Sequence, residues 1–161
     1  MVRSRSTSVK ALSPAEVQVE GVDALFLVWL VARSTEDLLD SALAPSGLTG
    51  DEYAIYSVLS AAPTITPTEL ARWLAAPATT VSSYVKRFEA RGHVTREPNP
   101  DDRRSYRIRL TPKGRRAHRA AGALFAPLRT EVAERLGSRA EDALEVLLRL
   151  RTVVDGIRAG A

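Results

Sequence analysis

The chain has no cysteine and only two histidines, His93 and His118. The first absence excludes disulfides, thiolate zinc sites and thiol-based redox sensing. The second leaves no group of ligands at metal spacing, so neither a metal nor any other cofactor is expected. No apolar run approaches the roughly 18 residues of a membrane-spanning helix, and the basic, Ser-rich start MVRSRSTSVK is not followed by a signal-peptide core. No membrane partner is expected, and the cytoplasm is the default location. Catalysis needs convergent groups. Glu69 has no clear partner acid, Ser82 and Ser83 have no nearby His, and there is no Gly-rich phosphate loop. No catalytic residue and no enzymatic activity are expected.

What is present is charge segregation on a chain able to build a core. The length of 161 residues suits one domain, or a small module with helices added for assembly, and 45% hydrophobic content argues against wholesale disorder. Between Arg72 and Arg119 stand thirteen Lys or Arg and four acids, whereas residues 11–71 hold one Arg and nine acids. The whole chain is only +4. A positive face on a near-neutral body is what binding to phosphates requires.

Helical spacing runs from Glu20 to about Ala42 through Val22, Leu25, Phe26, Trp29, Leu30, Leu38 and Leu39, and stops at Pro45 and Gly47. Thr49 with Glu52, and Thr66 with Pro67 and Glu69, are two capping-box signatures, opening helices that end at Pro63 and Leu74. Ala75–Pro77 makes a turn, and Ala78–Arg91 forms a longer helix with Val81, Tyr84, Val85 and Phe88 inward and Gly92 as a left-handed cap. The period then changes to two: Val94 and Arg96 begin a strand, Pro98–Arg104 is loop, and Tyr106, Ile108 and Leu110 alternate with Ser105, Arg107 and Arg109. Thr111 and Pro112 restart helix, Gly137–Ser138 breaks it, and a last helix spans about Arg139–Arg158. The fold class is mainly α with a small β wing: a winged helix-turn-helix of six helices and a two- to three-stranded antiparallel wing. The division expected is a flexible N-terminal arm over 1–19, helical dimerisation segments over 20–48 and 120–158, and the winged module over 49–119.

This arrangement suits duplex DNA. A helix fits the major groove, where each base pair shows a distinct donor and acceptor pattern. Thr79, Thr80, Ser82 and Ser83 are short enough to meet bases or phosphates, while Lys86 and Arg87 favour the backbone. The loop NPDDRRS places Arg103 and Arg104 at a hairpin tip, where a narrow minor groove attracts guanidinium groups; Arg107 adds charge on the following strand. Asp101 and Asp102 in such a loop either accept backbone amides in the turn or hold an Arg fork in a fixed pose, and Asp101 is the residue expected to order the wing.

The segments TPTELARWL, TTVSSYVKRFEARGHVTR and NPDDRRSYRIRLTPKG together resemble the MarR family of winged-helix transcriptional regulators, most strongly over Thr66–Gly114 and more weakly over about 20–158. The resemblance implies an obligate homodimer whose first and last helices interlock, so that two recognition helices meet successive major grooves of a palindromic operator. It implies an acid–Arg pair in the wing formed by Asp101 and Arg103, with Arg103 or Arg104 reaching the minor groove. Two departures stand out. Pro77 occupies a position where a Ser, Thr or Asp cap is usual, and Phe88 replaces the common Leu.

Dimerisation also follows from the terminal helices, whose apolar faces exceed what a small module can cover. The resemblance further implies a pocket between dimer helices and the DNA-binding lobe, where Phe26, Trp29, Tyr53, Tyr56 and Trp73 supply aromatic material for a small aromatic or apolar effector, with Arg33 and His118 as candidate anion contacts. The function expected is therefore a sequence-specific regulator, a repressor, acting on double-stranded DNA. The rival reading is a winged-helix protein-interaction module without specific DNA binding.

Overall fold

The computed structural model describes residues 23–62 and 64–160. The N-terminal arm over 1–19, the start of the first helix at 20–22 and the proposed terminator Pro63 lie outside the described residues. The chain divides into two units, Met1–Asp37 and Leu38–Ala161.

Helix α1 (Ala24–Leu43) begins in the first unit, where the Asp23 carboxylate accepts the Phe26 amide at 2.9 Å. This is the side-chain cap that a helix start requires. Along its first two turns Leu25, Phe26, Leu27, Val28, Trp29, Leu30 and Val31 are all exposed. Phe26 and Trp29 stack with centroids 6.1 Å apart.

In the second unit α1 ends at the buried Leu43, and Gly47 turns the chain with φ 71°. Both expected capping boxes are present. Thr49 opens α2 (Gly50–Ala61) with Glu52, and Thr66 opens α3 (Pro67–Leu74) with Glu69. Helix α4 (Ala78–Ala90) follows a turn in which Ala75 takes φ 50°. It closes with the amide of His93 on the carbonyl of Phe88 and the amide of Gly92 on that of Glu89, the paired bonds of a Schellman ending. Strands β1 (Val94–Pro98) and β2 (Tyr106–Leu110) pair antiparallel, Val94 opposite Leu110 and Pro98 opposite Tyr106. A third strand is reduced to one bridge, between Ile65 and Ile108. Helices α5 (Pro112–Leu136) and α6 (Ala140–Gly160) complete the order, giving among the described residues a mainly helical fold with a two-stranded wing.

The core collects Leu43, Leu48, Ile55, Tyr56, Leu59, Ile65, Leu70, Val81, Val85, Phe88, Val94, Ile108, Leu110 and Ala121. The inward positions expected on α4 are Val81, Val85 and Phe88; Tyr84 is half-buried and donates its hydroxyl to Asp51 at 2.9 Å. Phe88 meets the Tyr56 ring edge-on at 4.6 Å, so the larger ring fills space against an aromatic partner. Gly114 is required where α5 leaves the sheet: a β-carbon there would lie 2.0 Å from the His93 carbonyl oxygen. Thr111 completes this junction, donating its hydroxyl to the Gly92 carbonyl at 2.7 Å while accepting the Gly114 amide at 3.1 Å. Helix α6 has no buried residue.

Candidate nucleic-acid interface

Helix α4 starts without a side-chain cap. Pro77 at the cap position lends only its carbonyl, which accepts the amides of Thr80 and Val81 at 3.0 and 3.2 Å. The preceding amides of the first turn have no intrahelical acceptor. Thr79, Thr80, Ser83, Lys86 and Arg87 are exposed and Ser82 half-buried. The Ser83 hydroxyl donates back to the Thr79 carbonyl at 3.0 Å, leaving its oxygen as an acceptor.

Arg87 is tied into the fold. Its guanidinium lies 4.9 Å from the Tyr84 ring centroid and 3.4 Å from Oε1 of Glu52. The second oxygen of Glu52 takes Arg91 at 2.8 Å. Glu52 is only 1% exposed, so one buried carboxylate both caps α2 and holds two guanidiniums of the α4 end. Lys86 has no ion pair among the described residues.

In the wing each acid takes one of the two roles open to it. Asp102 accepts the Arg104 amide at 2.9 Å, a turn bond two residues on. Asp101 holds an Arg fork, but the partner is Arg107, with Oδ2 to Nη2 at 2.6 Å, and not the Arg103 that the family resemblance implied. The geometry explains the difference. Arg103 lies in the turn at the tip, whereas Arg107 sits on β2, where Asn99 steadies its Nε at 3.2 Å. The same Asn99 oxygen accepts the Asp101 amide, also at 3.2 Å, and Asn99 is 8% exposed. Neighbouring charges are likewise matched, Arg96 with Glu89 at 2.6 Å and Arg109 with Glu97 at 3.2 Å. Arg103 and Arg104 are exposed and have no acid partner among the described residues.

The aromatic residues expected at an effector site do not share one environment. Tyr56 is fully buried, and its hydroxyl lies 2.8 Å from Nδ1 of His93. Burial pushes the Tyr56 phenol up to about 12, so it stays protonated and can donate to a neutral imidazole. Tyr53 is half-buried, stacked on His118 at 5.3 Å and tilted against Phe125 at 5.4 Å. His118 Nε2 lies 3.0 Å from the Ser57 hydroxyl. Trp73 is exposed and carries the Arg151 guanidinium 5.2 Å from its centroid. Arg33 pairs with Glu36 at 2.9 Å.

Burial holds both imidazoles below the ordinary value, helped by Lys113 and Arg91 at His93 and by Arg119 at His118. A lowered folded value means that the unfolded chain takes up protons first. Their contribution to stability is therefore present above about pH 6.5 and is lost as pH falls through the folded values. The melting temperature is expected to drop between about pH 7 and pH 5, and less steeply in the His93→Gln, His118→Gln double variant. Equal slopes for the two proteins would remove both histidines as the cause.

Sequence reasoning missed Asn99, Arg107 as the partner of Asp101, and Glu52 as a tether for α4. Only Asn99 carried a local signal, an Asn two residues ahead of an amide in a Pro-bearing turn. Among the described residues no group of acids or histidines could hold a metal ion, and no helix is long and apolar enough to cross a membrane.

Comparison with known proteins returns the same module. The family model described as MarR family matches residues 46–105, from the approach to α2 through the wing loop. The multiple antibiotic resistance protein MarR of Salmonella typhimurium is 30% identical over 88 residues, 55% of this chain. The match spans about three fifths of that relative's length, 61%. A solved structure of the M. tuberculosis transcriptional regulator MOSR in complex with DNA superposes with a TM-score of 0.74 at 28% identity, covering 85% of this chain and 99% of that one. The transcriptional repressor CouR bound to a 23-mer DNA duplex superposes at 0.72 with 27% identity, covering 81% and 92%. With the cap grammar, the ordered wing and the flanking helices all in family order, this chain belongs to the MarR family of winged helix-turn-helix proteins.

Proposed function

We propose that this protein is a cytoplasmic repressor that binds double-stranded DNA sequence-specifically, as a homodimer on a palindromic operator, and is released by a small aromatic or apolar effector. The observation that carries the reading is the pair Arg103 and Arg104: exposed, without acid partners, and held at the tip of a hairpin whose other charges are internally matched. Uncompensated guanidiniums on an ordered loop are suited to phosphate and minor-groove contact. Thr79, Thr80, Ser82, Ser83 and Lys86 on α4 supply the groove-facing set, with Arg87 and Arg107 acting from tethered positions. The DNA-bound states of MOSR and CouR support the same use of the fold here.

Residues 49–119 form the DNA-binding part, and 20–48 with 120–158 the dimerisation part. The support lies in each terminal helix taken alone. The start of α1 exposes apolar side chains on every side, and α6 exposes Leu144, Val146, Leu147, Leu148, Val153 and Ile157. Surface of this kind on two helices exceeds what a monomer ordinarily leaves open. Sedimentation at micromolar concentration is expected to show a dimer; a well-folded monomer would remove the two-groove model.

Binding-site selection from random duplexes is expected to return a palindrome. Against that duplex, Thr80→Ala or Ser83→Ala should alter the preference among operator variants, since a good base contact discriminates by about 1–3 kcal/mol. Lys86→Ala should weaken all duplexes alike and flatten the salt dependence. Affinity changes without any shift in relative preference would show that α4 is not the reading element, and absence of salt-dependent binding would favour a protein-interaction module.

A further inference from the structure

We propose that the groove between α3 and α6 binds a small planar aromatic monoanion, and that its occupant weakens the hold of α6 on the helix-turn-helix. The groove encloses about 400 Å³ and is lined by Arg72, Trp73, Leu148, Arg151, Thr152 and Asp155, a volume within the range of small-molecule sites. Trp73 is 55% exposed and offers an aromatic face beside the apolar Leu148, which suits a flat ring. Arg72 has no acid partner among the described residues. Arg151 is shared between Asp155, Nε to Oδ2 at 3.5 Å, and the Trp73 carbonyl, Nη2 to O at 3.0 Å. Two guanidiniums against one carboxylate leave a single net positive charge in the groove. A carboxylate on a small ring matches that balance and takes charge-assisted bonds from Arg72 and Arg151. A dianion meets Asp155 unfavourably, and a neutral ring leaves the guanidiniums unused.

The consequence for the DNA-binding module follows from where these side chains are anchored. Arg151 and Arg158 donate to the carbonyls of Trp73 and Ala75, at 3.0 and 3.2 Å. These are carbonyls at the α3 end that lack partners within the helix. They flank the turn between α3 and α4, where Ala75 stands at φ 50°, a conformation that non-glycine residues seldom adopt. An anion that draws Arg151 away removes one of two tethers on that turn. The site thus deepens the proposed release by an effector, and rests on that reading for its consequence but not for the binding itself.

Trp29→Phe leaves Trp73 as the one indole, so its fluorescence reports the groove directly. Benzoate is the probe, benzamide the uncharged control and phthalate the dianion. Benzoate is expected to quench saturably, with benzamide and phthalate weaker by about tenfold or more and the Arg151→Gln variant weaker to the same degree. Calorimetric titration of the unmodified chain with the same three compounds gives the same ranking without relying on Trp29→Phe. Equal binding of benzoate and benzamide, or undiminished binding by Arg151→Gln, overturns the site. A labelled selected duplex then tests the coupling: benzoate should lower its affinity for the unmodified chain and leave Arg151→Gln unaffected. Benzoate binding with duplex affinity unchanged overturns the coupling alone. Failure of duplex binding itself overturns the proposed function and leaves the groove to be decided by fluorescence.

Discussion

Replacing Arg103 and Arg104 together by alanine is expected to weaken duplex binding by roughly sixtyfold at about 0.1 M salt while leaving the melting temperature nearly unchanged. The figure follows from counterion release. Each neutralised phosphate adds about 0.9 to the slope of log affinity against log salt, so two lost contacts lower it by about 1.8. The stability of the fold is spared because neither side chain pairs with an acid or contributes to the core. Asp101→Ala sharpens the argument. Removing an acid from a basic loop should tighten binding if net charge alone mattered. Here the carboxylate holds Arg107 at 2.6 Å, and Asn99 joins the same network, so its loss leaves the hairpin to be ordered during binding, at an entropic penalty. Weaker binding by Asp101→Ala is therefore expected. Anisotropy titrations of a labelled duplex at several salt concentrations decide both points. Tighter binding by Asp101→Ala would reduce that residue to a loop charge, and an unaltered salt slope in the double variant would take the wing out of the interface.

Glu52→Ala is expected to destabilise the protein by about 3 kcal/mol, a loss of roughly 10 °C in melting temperature for a chain of this size. Breaking a fully buried pair costs about 3–5 kcal/mol, but here the partners Arg87 and Arg91 are 48% and 35% exposed and recover part of their hydration. The capping box at the start of α2 is lost as well, worth about 1 kcal/mol. Glu52→Gln separates the two contributions, since an amide can still accept the Thr49 amide but cannot balance the guanidiniums. It should recover about 1 kcal/mol of the loss. Freed from their acid, Arg87 and Arg91 should also raise affinity for duplexes of unrelated sequence. Urea unfolding gives the stabilities; values for Glu52→Ala within error of the parent chain would show that the buried carboxylate is not a tether.

The elements were legible because their signals are local. A hydroxyl with a carboxylate three residues on marks the starts of α2 and α3, Gly92 marks the end of α4, and the change of period after it marks the wing. The exposed α4 set and the wing tip follow from the same patterns. Partner choice was less legible. Asp101 has three arginines within reach along the chain, Arg103, Arg104 and Arg107, and nothing in their order selects the last. The selection comes from the strand register, which sets Glu97 opposite Arg107 and returns that guanidinium toward the loop.

By itself, then, the amino-acid sequence determined the helix-turn-helix and wing, the concentration of positive charge upon them and the absence of thiol chemistry. All of these depend on residue type and on neighbours a turn or a strand away. Only the tertiary structure decided that Glu52 is buried beneath Arg87 and Arg91, that Tyr56 belongs to the core with His93 against its hydroxyl, and that α6 reaches the α3 turn through Arg151 and Arg158. Those partners stand 39, 37, 78 and 83 residues apart for Glu52–Arg91, Tyr56–His93, Trp73–Arg151 and Ala75–Arg158. Over such separations no periodicity carries information, and a charge or hydroxyl finds its partner only when packing of the shared core brings the two elements together.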